Sequence, residues 1–172
     1  ATREAVAMFD QSSFGKFILQ GPDATSVLNQ ICANEVDVPV GKIVYTQWLN
    51  ETGGIEADLT VTRQAPDSYL IVTAAATQVR DFAWLRDHIP TTARAMAIDI
   101  SSGQAVLSVM GPNSRALLSS LTPDDLSNES FAFGTSKIID LSYARVRANS
   151  ITYVGELGWE LYVETEFAMG VF

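Results

Sequence analysis

The sequence predicts an α+β fold, a mostly antiparallel sheet with packed helices. Helical and strand-like segments alternate along the chain, but many strands are joined by short turns rather than by helical crossovers. The composition supports a real core, with 47% hydrophobic and 18% charged residues among 172. That length suits one good-sized domain or two small ones. No strand runs into Gly-x-Gly-x-x-Gly, so no dinucleotide-binding site is visible.

Two segments share one pattern. FILQGPDATSVLNQI (17–31) and AVLSVMGPNSRALLSSL (105–121) each pass from a strand through Gly-Pro into an amphipathic helix. Gly ends the strand, and Pro sets φ for a first helical turn that does not need its N–H. Asp23 or Asn113 follows in that turn, near the positive helix end. Gly21 and Gly111 stand 90 residues apart, which suggests either an internal duplication or two independent corners of one kind. Between them, residues 43–49, 55–63 and 68–73 read as strands, with a Gly-rich hairpin turn at 50–54 and a Pro-Asp turn before the third. TQVRDFAWLRDHI is a helix with Val79, Phe82, Leu85 and Ile89 assigned to one face, and Pro90 stops it. MAIDIS is strand-like, LTPDDLS a loop with a short helical turn, and FAFGTSKIIDL and YARVRANSITYVGELGWELYV are further strands.

Charge and composition exclude several functions. A net charge of −9 and a pI near 4.4 disfavour nucleic acid and anionic membrane surfaces. An acidic field favours cationic or neutral substrates. With one cysteine and one histidine, neither an internal disulfide nor a His/Cys zinc site is expected. Cys32 reads as a packed thiol at a helix end, and His88 as a cation favoured by a helix C-terminus. No apolar run reaches the roughly 18 residues of a membrane helix, and no secretory signal is visible. The start at Ala1 and the end at Phe172, inside an apolar pattern, read as a segment of a longer chain.

Two stretches place carboxylates where chemistry is possible. In the strand at 55–63, Ile55, Ala57, Leu59 and Val61 face one way and Glu56, Asp58, Thr60 and Thr62 the other. The polar row is either a solvated sheet face or the wall of a cavity with Asp58 placed in it. ITYVGELGWELYV (151–163) sets Glu156 and Glu160 in an apolar, aromatic run expected to be mostly buried. A buried carboxylate is costly without a partner. Its two parallel acceptors match an arginine, or the amino-pyrimidinone edge of a pterin. The residues alone leave both open, and the arginine is the simpler.

YVGELGWELYV, together with NETGGIEADLTVTR, DQSSFGKF, VYTQWLN and the two Gly-Pro segments, resembles the tetrahydrofolate-binding aminomethyltransferase family that includes the glycine cleavage T protein. The form is closest to the folate domain of dimethylglycine and sarcosine dehydrogenases. The resemblance covers almost the whole chain in one motif order. It implies that residues 1–172 belong to one folate-binding, T-protein-like domain, incomplete at its C-terminus. It implies Asp58 as the catalytic carboxylate, with Tyr45, Thr60, Thr73, Tyr153 and Glu156 around the folate and Glu156 anchoring the pterin. Gly155 and Gly158 would then let backbone approach a flat ring. Two departures stand out: Ala57-Asp58 replaces the Asp-Asp of T proteins, and Asn149 and Ser150 stand where an arginine is usual.

The implied reaction is one-carbon transfer to tetrahydrofolate, giving 5,10-methylenetetrahydrofolate. In the dehydrogenases a separate flavin domain, expected to carry FAD, oxidises a small N-methyl amine to an iminium. Folate N5 and N10 then take up the carbon, and a carboxylate beside N10 can accept the released proton. The resemblance implies the bacterial cytoplasm or the mitochondrial matrix. Two other functions stay open: a T protein proper, and a regulatory or interaction module that kept the fold without the chemistry.

Overall fold

The computed structural model describes residues 1–172. The chain forms two compact units, Phe14–Ser101 and a second made of Ala1–Ser13 with Ser102–Phe172. Each carries one five-stranded sheet, and every strand pairing is antiparallel. The sequence-predicted α+β antiparallel architecture is therefore the observed one.

In the Phe14–Ser101 unit the elements are β2 (Gly15–Gln20), α1 (Ala24–Ile31), β3 (Ile43–Leu49), β4 (Ile55–Ala65), β5 (Ser68–Thr73), α2 (Gln78–Asp87) and β6 (Met96–Asp99). The sheet order is β3-β4-β5-β2-β6. One sheet face and the inner sides of α1 and α2 enclose Phe17, Leu19, Val27, Leu28, Trp48, Leu59, Val61, Ile71 and Leu85. Burying each large apolar side chain contributes about 1.5–3 kcal/mol. The expected alternation of β4 holds in its middle, with Ala57, Leu59 and Val61 buried in this core, but Ile55 is 68% exposed and Thr62 fully buried.

The second unit holds β1 (Ala7–Asp10), β7 (Gln104–Met110), α3 (Ser114–Ser119), β8 (Ser136–Leu141), β9 (Ala144–Asn149), β10 (Gly158–Glu164) and α4 (Thr165–Val171). Its order is β1-β7-β10-β9-β8. Read backwards, this is the first sheet again. The register repeats too: Ser68 lies opposite Gln20, and Gly158 opposite Met110, both displaced by 90 residues. Lys16 N–H donates to Ser101 Oγ (2.9 Å), and its counterpart Val106 N–H donates to Ser12 Oγ (3.0 Å). The repeat is thus a duplicated βαβββ unit, not a chance recurrence of Gly-Pro. The strand ahead of each repeat, β1 or β6, pairs with the other repeat's first strand, β7 or β2.

The two Gly-Pro corners need glycine for the same reason. Gly21 has φ +139° and Gly111 φ +128°. A Cβ would meet Arg94 O at 2.1 Å in the first and Ala5 O at 2.5 Å in the second. Backbone passes directly over both corners, so only glycine fits.

Two expectations need correction. Val79 is 83% exposed rather than part of the buried stripe. Two successive steps of three residues carry it about 120° around the helix from Leu85, and Asp81 takes the buried place instead. The run at 151–163 is buried only from Gly158 onward, because residues 150–157 form a loop between β9 and β10.

Candidate functional site

The duplication shows where the repeats diverge. The β4–β5 turn is Pro66-Asp67, whereas the matching β9–β10 connection is the loop at 150–157. Conversely, β8 and β9 are joined by Ser142-Tyr143, whereas β3 and β4 are joined by residues 50–54. The two elaborated connections lie beside Asp58 and around Glu156, the two carboxylates singled out from the sequence.

In the first unit, the β3–β4 register puts Tyr45 opposite Thr60 and Gln47 opposite Asp58. All four share one sheet face. Tyr45 Oη donates to Asp58 Oδ2 (2.8 Å), and Gln47 Nε2 donates to Asp58 Oδ1 (3.0 Å). Both carboxylate oxygens thus receive neutral donors. No salt bridge reaches Asp58, whereas Asp23, Asp37, Asp81 and Asp140 each pair with an arginine. The hydrogen bond to Asp58, with its burial and charge, pushes the Tyr45 phenol above its usual range, so Tyr45 stays a donor at neutral pH. Tyr45 is 61% exposed and Thr60 half-buried beside it.

The adjoining turn is stiffened by one side chain. Asn50 Oδ1 accepts from Thr52 N–H (3.1 Å) and Gly54 N–H (2.8 Å), and its Nδ2 donates to Glu56 Oε1 (2.8 Å). Thr73 points to the opposite face. It lies opposite Leu59, is 3% exposed, and its hydroxyl donates to Asp81, which also accepts from Thr77 Oγ1 (2.6 Å). The structure therefore does not bring Thr73 together with Asp58, Tyr45 and Thr60. It fastens α2 to β5, which the sequence could not show because alternation along β5 was masked by a continuous apolar run.

In the second unit, Tyr153 and Glu156 sit on the 150–157 loop. Tyr153 is 80% exposed, while the Glu156 side chain is 23% exposed and pairs with Arg3 through Nη1–Oε1 at 2.9 Å. A guanidinium does reach Glu156, then, but from residue 3. The loop end is tied to the second Gly-Pro corner, where Leu157 O accepts from Gly111 N–H (2.7 Å) and Ser114 Oγ (3.2 Å). Gly158 has a packing role, since a Cβ there would lie 2.7 Å from Met110 Cγ. It leaves no room for a ring.

Of the two carboxylates in the 151–163 run, the deeply buried one is Glu160, not Glu156. Tyr162 Oη donates to Glu160 Oε2 (2.7 Å), and burial pushes the Glu160 carboxyl up. Burial, then the neighbouring Glu160, hold the Tyr162 phenol well above its usual value. Asn149, opposite Glu160 on β9, is fully buried, and its side chain interacts with the Tyr162 phenol, opposing part of that rise. Sequence reading missed this pair because Glu156 and Glu160 sit in the same run, and only the loop boundary separates them.

His88 caps α2 and stacks on Trp84, with ring centroids 3.7 Å apart. Cys32 caps α1, and burial pushes its thiol up to about 11, as suits a packed thiol. No group of three or more His, Cys, Asp or Glu side chains could hold a metal, and no helix is long and apolar enough to cross a membrane.

Comparison with known proteins identifies the family. The family model described as the GCVT N-terminal domain matches residues 1–172. The chain belongs to that family. Among its relatives, 4-methylaminobutanoate oxidase (formaldehyde-forming) of Paenarthrobacter nicotinovorans is 38% identical over 171 residues, covering 99% of this chain and 21% of that protein. Human mitochondrial sarcosine dehydrogenase is 39% identical over 181 residues, covering 95% and 19%. The mitochondrial pyruvate dehydrogenase phosphatase regulatory subunit of Mus musculus is 34% identical over 173 residues, covering 99% and 20%. The chain spans about a fifth of the length of these relatives. The glycine cleavage system aminomethyltransferase T of Bartonella henselae superposes with a TM-score of 0.86 at 24% identity, over 99% of this chain and 45% of that one. That likeness establishes the shared fold.

Proposed function

We propose that this domain binds tetrahydrofolate and passes a one-carbon unit to it, forming 5,10-methylenetetrahydrofolate, within a flavin-dependent N-methyl amine dehydrogenase. The observation that carries the reading is Asp58, a carboxylate held at both oxygens by neutral donors and neutralised by no cation. Such a group keeps its negative charge for a cationic reactant and its acceptor capacity for a proton. The names of the relatives, a formaldehyde-forming oxidase and a sarcosine dehydrogenase, support an N-methyl amine as the carbon source.

The residues suit a reduced pterin. Glu156 has one oxygen on the exposed Arg3; with that pair displaced, its two-acceptor edge complements a ring N–H beside an exocyclic amine. Tyr153 next to it offers an exposed ring for stacking. Tetrahydrofolate supplies two neighbouring amines that bridge a single carbon. Asp58 accepts the proton released as nitrogen bonds to that carbon, and its charge stabilises the cationic reactant beforehand. Tyr45 and Thr60 line the same face. Thr73 acts through the sheet, by holding α2. FAD belongs to a separate domain.

A second reading has one observation in its favour. The pyruvate dehydrogenase phosphatase regulatory subunit shows that a relative of this chain carries a regulatory name, so a non-catalytic module is the rival. Single-turnover formation of methylenetetrahydrofolate from formaldehyde and tetrahydrofolate, by the full-length protein, separates the two. The proposal expects formation faster than the spontaneous reaction. A rate equal to that background, in protein that binds tetrahydrofolate, favours the regulatory module.

A further inference from the structure

We propose that Gln47 is a positioning residue for Asp58, fixing the carboxylate plane so that one lone pair faces the reacting nitrogen. This rests on the folate reading and deepens it. Gln47 lies directly across the β3–β4 ladder from Asp58, on the third rung from the turn that Asn50 stiffens, beyond Leu49–Ile55 and Trp48–Ala57. Its amide donates to Oδ1 at 3.0 Å. Tyr45, two residues back on the same strand and so on the same face, donates to Oδ2 at 2.8 Å. Two donors two residues apart on one strand therefore grip the two oxygens of one carboxylate.

An aspartate held by only one of them turns about its Cβ–Cγ bond, a broad torsion with weak intrinsic preference. Held by both, it cannot. Neutral donors achieve this without cancelling charge, which an arginine would do, as at Asp23 and Asp81. The strands' own register also specifies the spacing. A residue at 47 must reach across about 5 Å between paired positions, which a glutamine does with an amide to spare. A carboxylate of the same length, as in Gln47→Glu, reaches equally well but brings a second negative charge and no donor.

The test uses full-length protein with Gln47→Met and Gln47→Glu, which keep length and remove the donor. Isotope-edited infrared spectra, with Asp58→Asn subtracted, read the Asp58 carboxylate stretch directly and need no folate chemistry. Both variants should shift the splitting of the carboxylate bands. They should also lower kcat about 10-fold or more, as misplacement of a catalytic group does, with KM for tetrahydrofolate within about twofold; the thermal midpoint should hold in Gln47→Met and fall in Gln47→Glu, where like charges face each other across the ladder. Unchanged bands and unchanged kcat in both variants overturn the positioning role. A wild-type protein that forms no product overturns the folate reading instead, and leaves the band shift to decide on Gln47 by itself.

Discussion

Asp58→Asn is the sharpest single substitution at the proposed centre. The amide replaces two acceptor oxygens with one acceptor and one donor. Tyr45 Oη and Gln47 Nε2 both donate to the wild-type group, so one of them loses its partner. Tyr45 can rotate its hydroxyl and accept instead, and the face is open to water, so stability should fall by no more than about 1 kcal/mol. The rate should suffer far more. Loss of a positioned base costs about 10²–10⁴-fold, or roughly 3–5 kcal/mol of barrier at about 1.4 kcal/mol per decade. Folate affinity should change only a few-fold, because the anchor lies elsewhere.

A second readout is independent of turnover. The Asp58 carboxylate is the main cause holding the Tyr45 phenol up. In Asp58→Asn that phenol should ionise at lower pH, seen by ultraviolet difference titration against Tyr45→Phe. Single-turnover kinetics, equilibrium binding and the phenol titration together test the assignment. A variant that forms product at the wild-type rate, or a phenol whose titration does not move, refutes the reasoning.

Three further outcomes follow from the geometry. Arg3→Ala should tighten tetrahydrofolate binding about two- to fivefold, and weaken its salt dependence, because an exposed pair worth about 0–1 kcal/mol no longer competes for Glu156 Oε1; calorimetry at two ionic strengths checks it. Gly111→Ala should destabilise by about 2–4 kcal/mol, since φ is +128° and the new Cβ meets Ala5 O at 2.5 Å; urea unfolding reads it, and Gly103→Ala, with nothing within 4 Å, is the control. Glu160→Gln should change the pH dependence of stability. The folded Glu160 carboxyl is raised above its ordinary 4.5 by burial, so its contribution is full below that value and is lost as pH rises towards the folded one. Relative to wild type, the variant should gain stability as pH rises above the ordinary carboxyl value of 4.5, and a constant difference would contradict the assignment.

Much of this was legible in residue patterns. The β3, β4 and β5 strands follow from alternation and from the Gly-rich and Pro-Asp turns between them, and β4 shows its faces directly. The repeat of Gly-Pro at 21 and 111 pointed to a duplication that strand order and register then displayed. Other features depend on contacts between residues distant in sequence. β1 is a four-residue edge strand whose pairing with β7 needs the other repeat to exist. Arg3 meets Glu156 across 153 residues, and no local pattern encodes that. Gln47 was hidden for a milder reason: alternation places it on the Asp58 face only once the register of β3 against β4 is known. Thr73 was set beside the folate by the family resemblance alone, and the contact of its hydroxyl with Asp81 on the following helix is one that no local pattern displays.

The central claim is that Glu156 anchors the pterin of tetrahydrofolate. Isothermal calorimetry of tetrahydrofolate with the full-length protein and its Glu156→Gln variant tests it most directly. The account predicts measurable binding by wild type. It predicts weakening by about 10- to 100-fold in the variant, the value of a charge-assisted hydrogen bond of about 1.5–3 kcal/mol. Equal affinities in the two proteins, or no binding by the wild type, would contradict it.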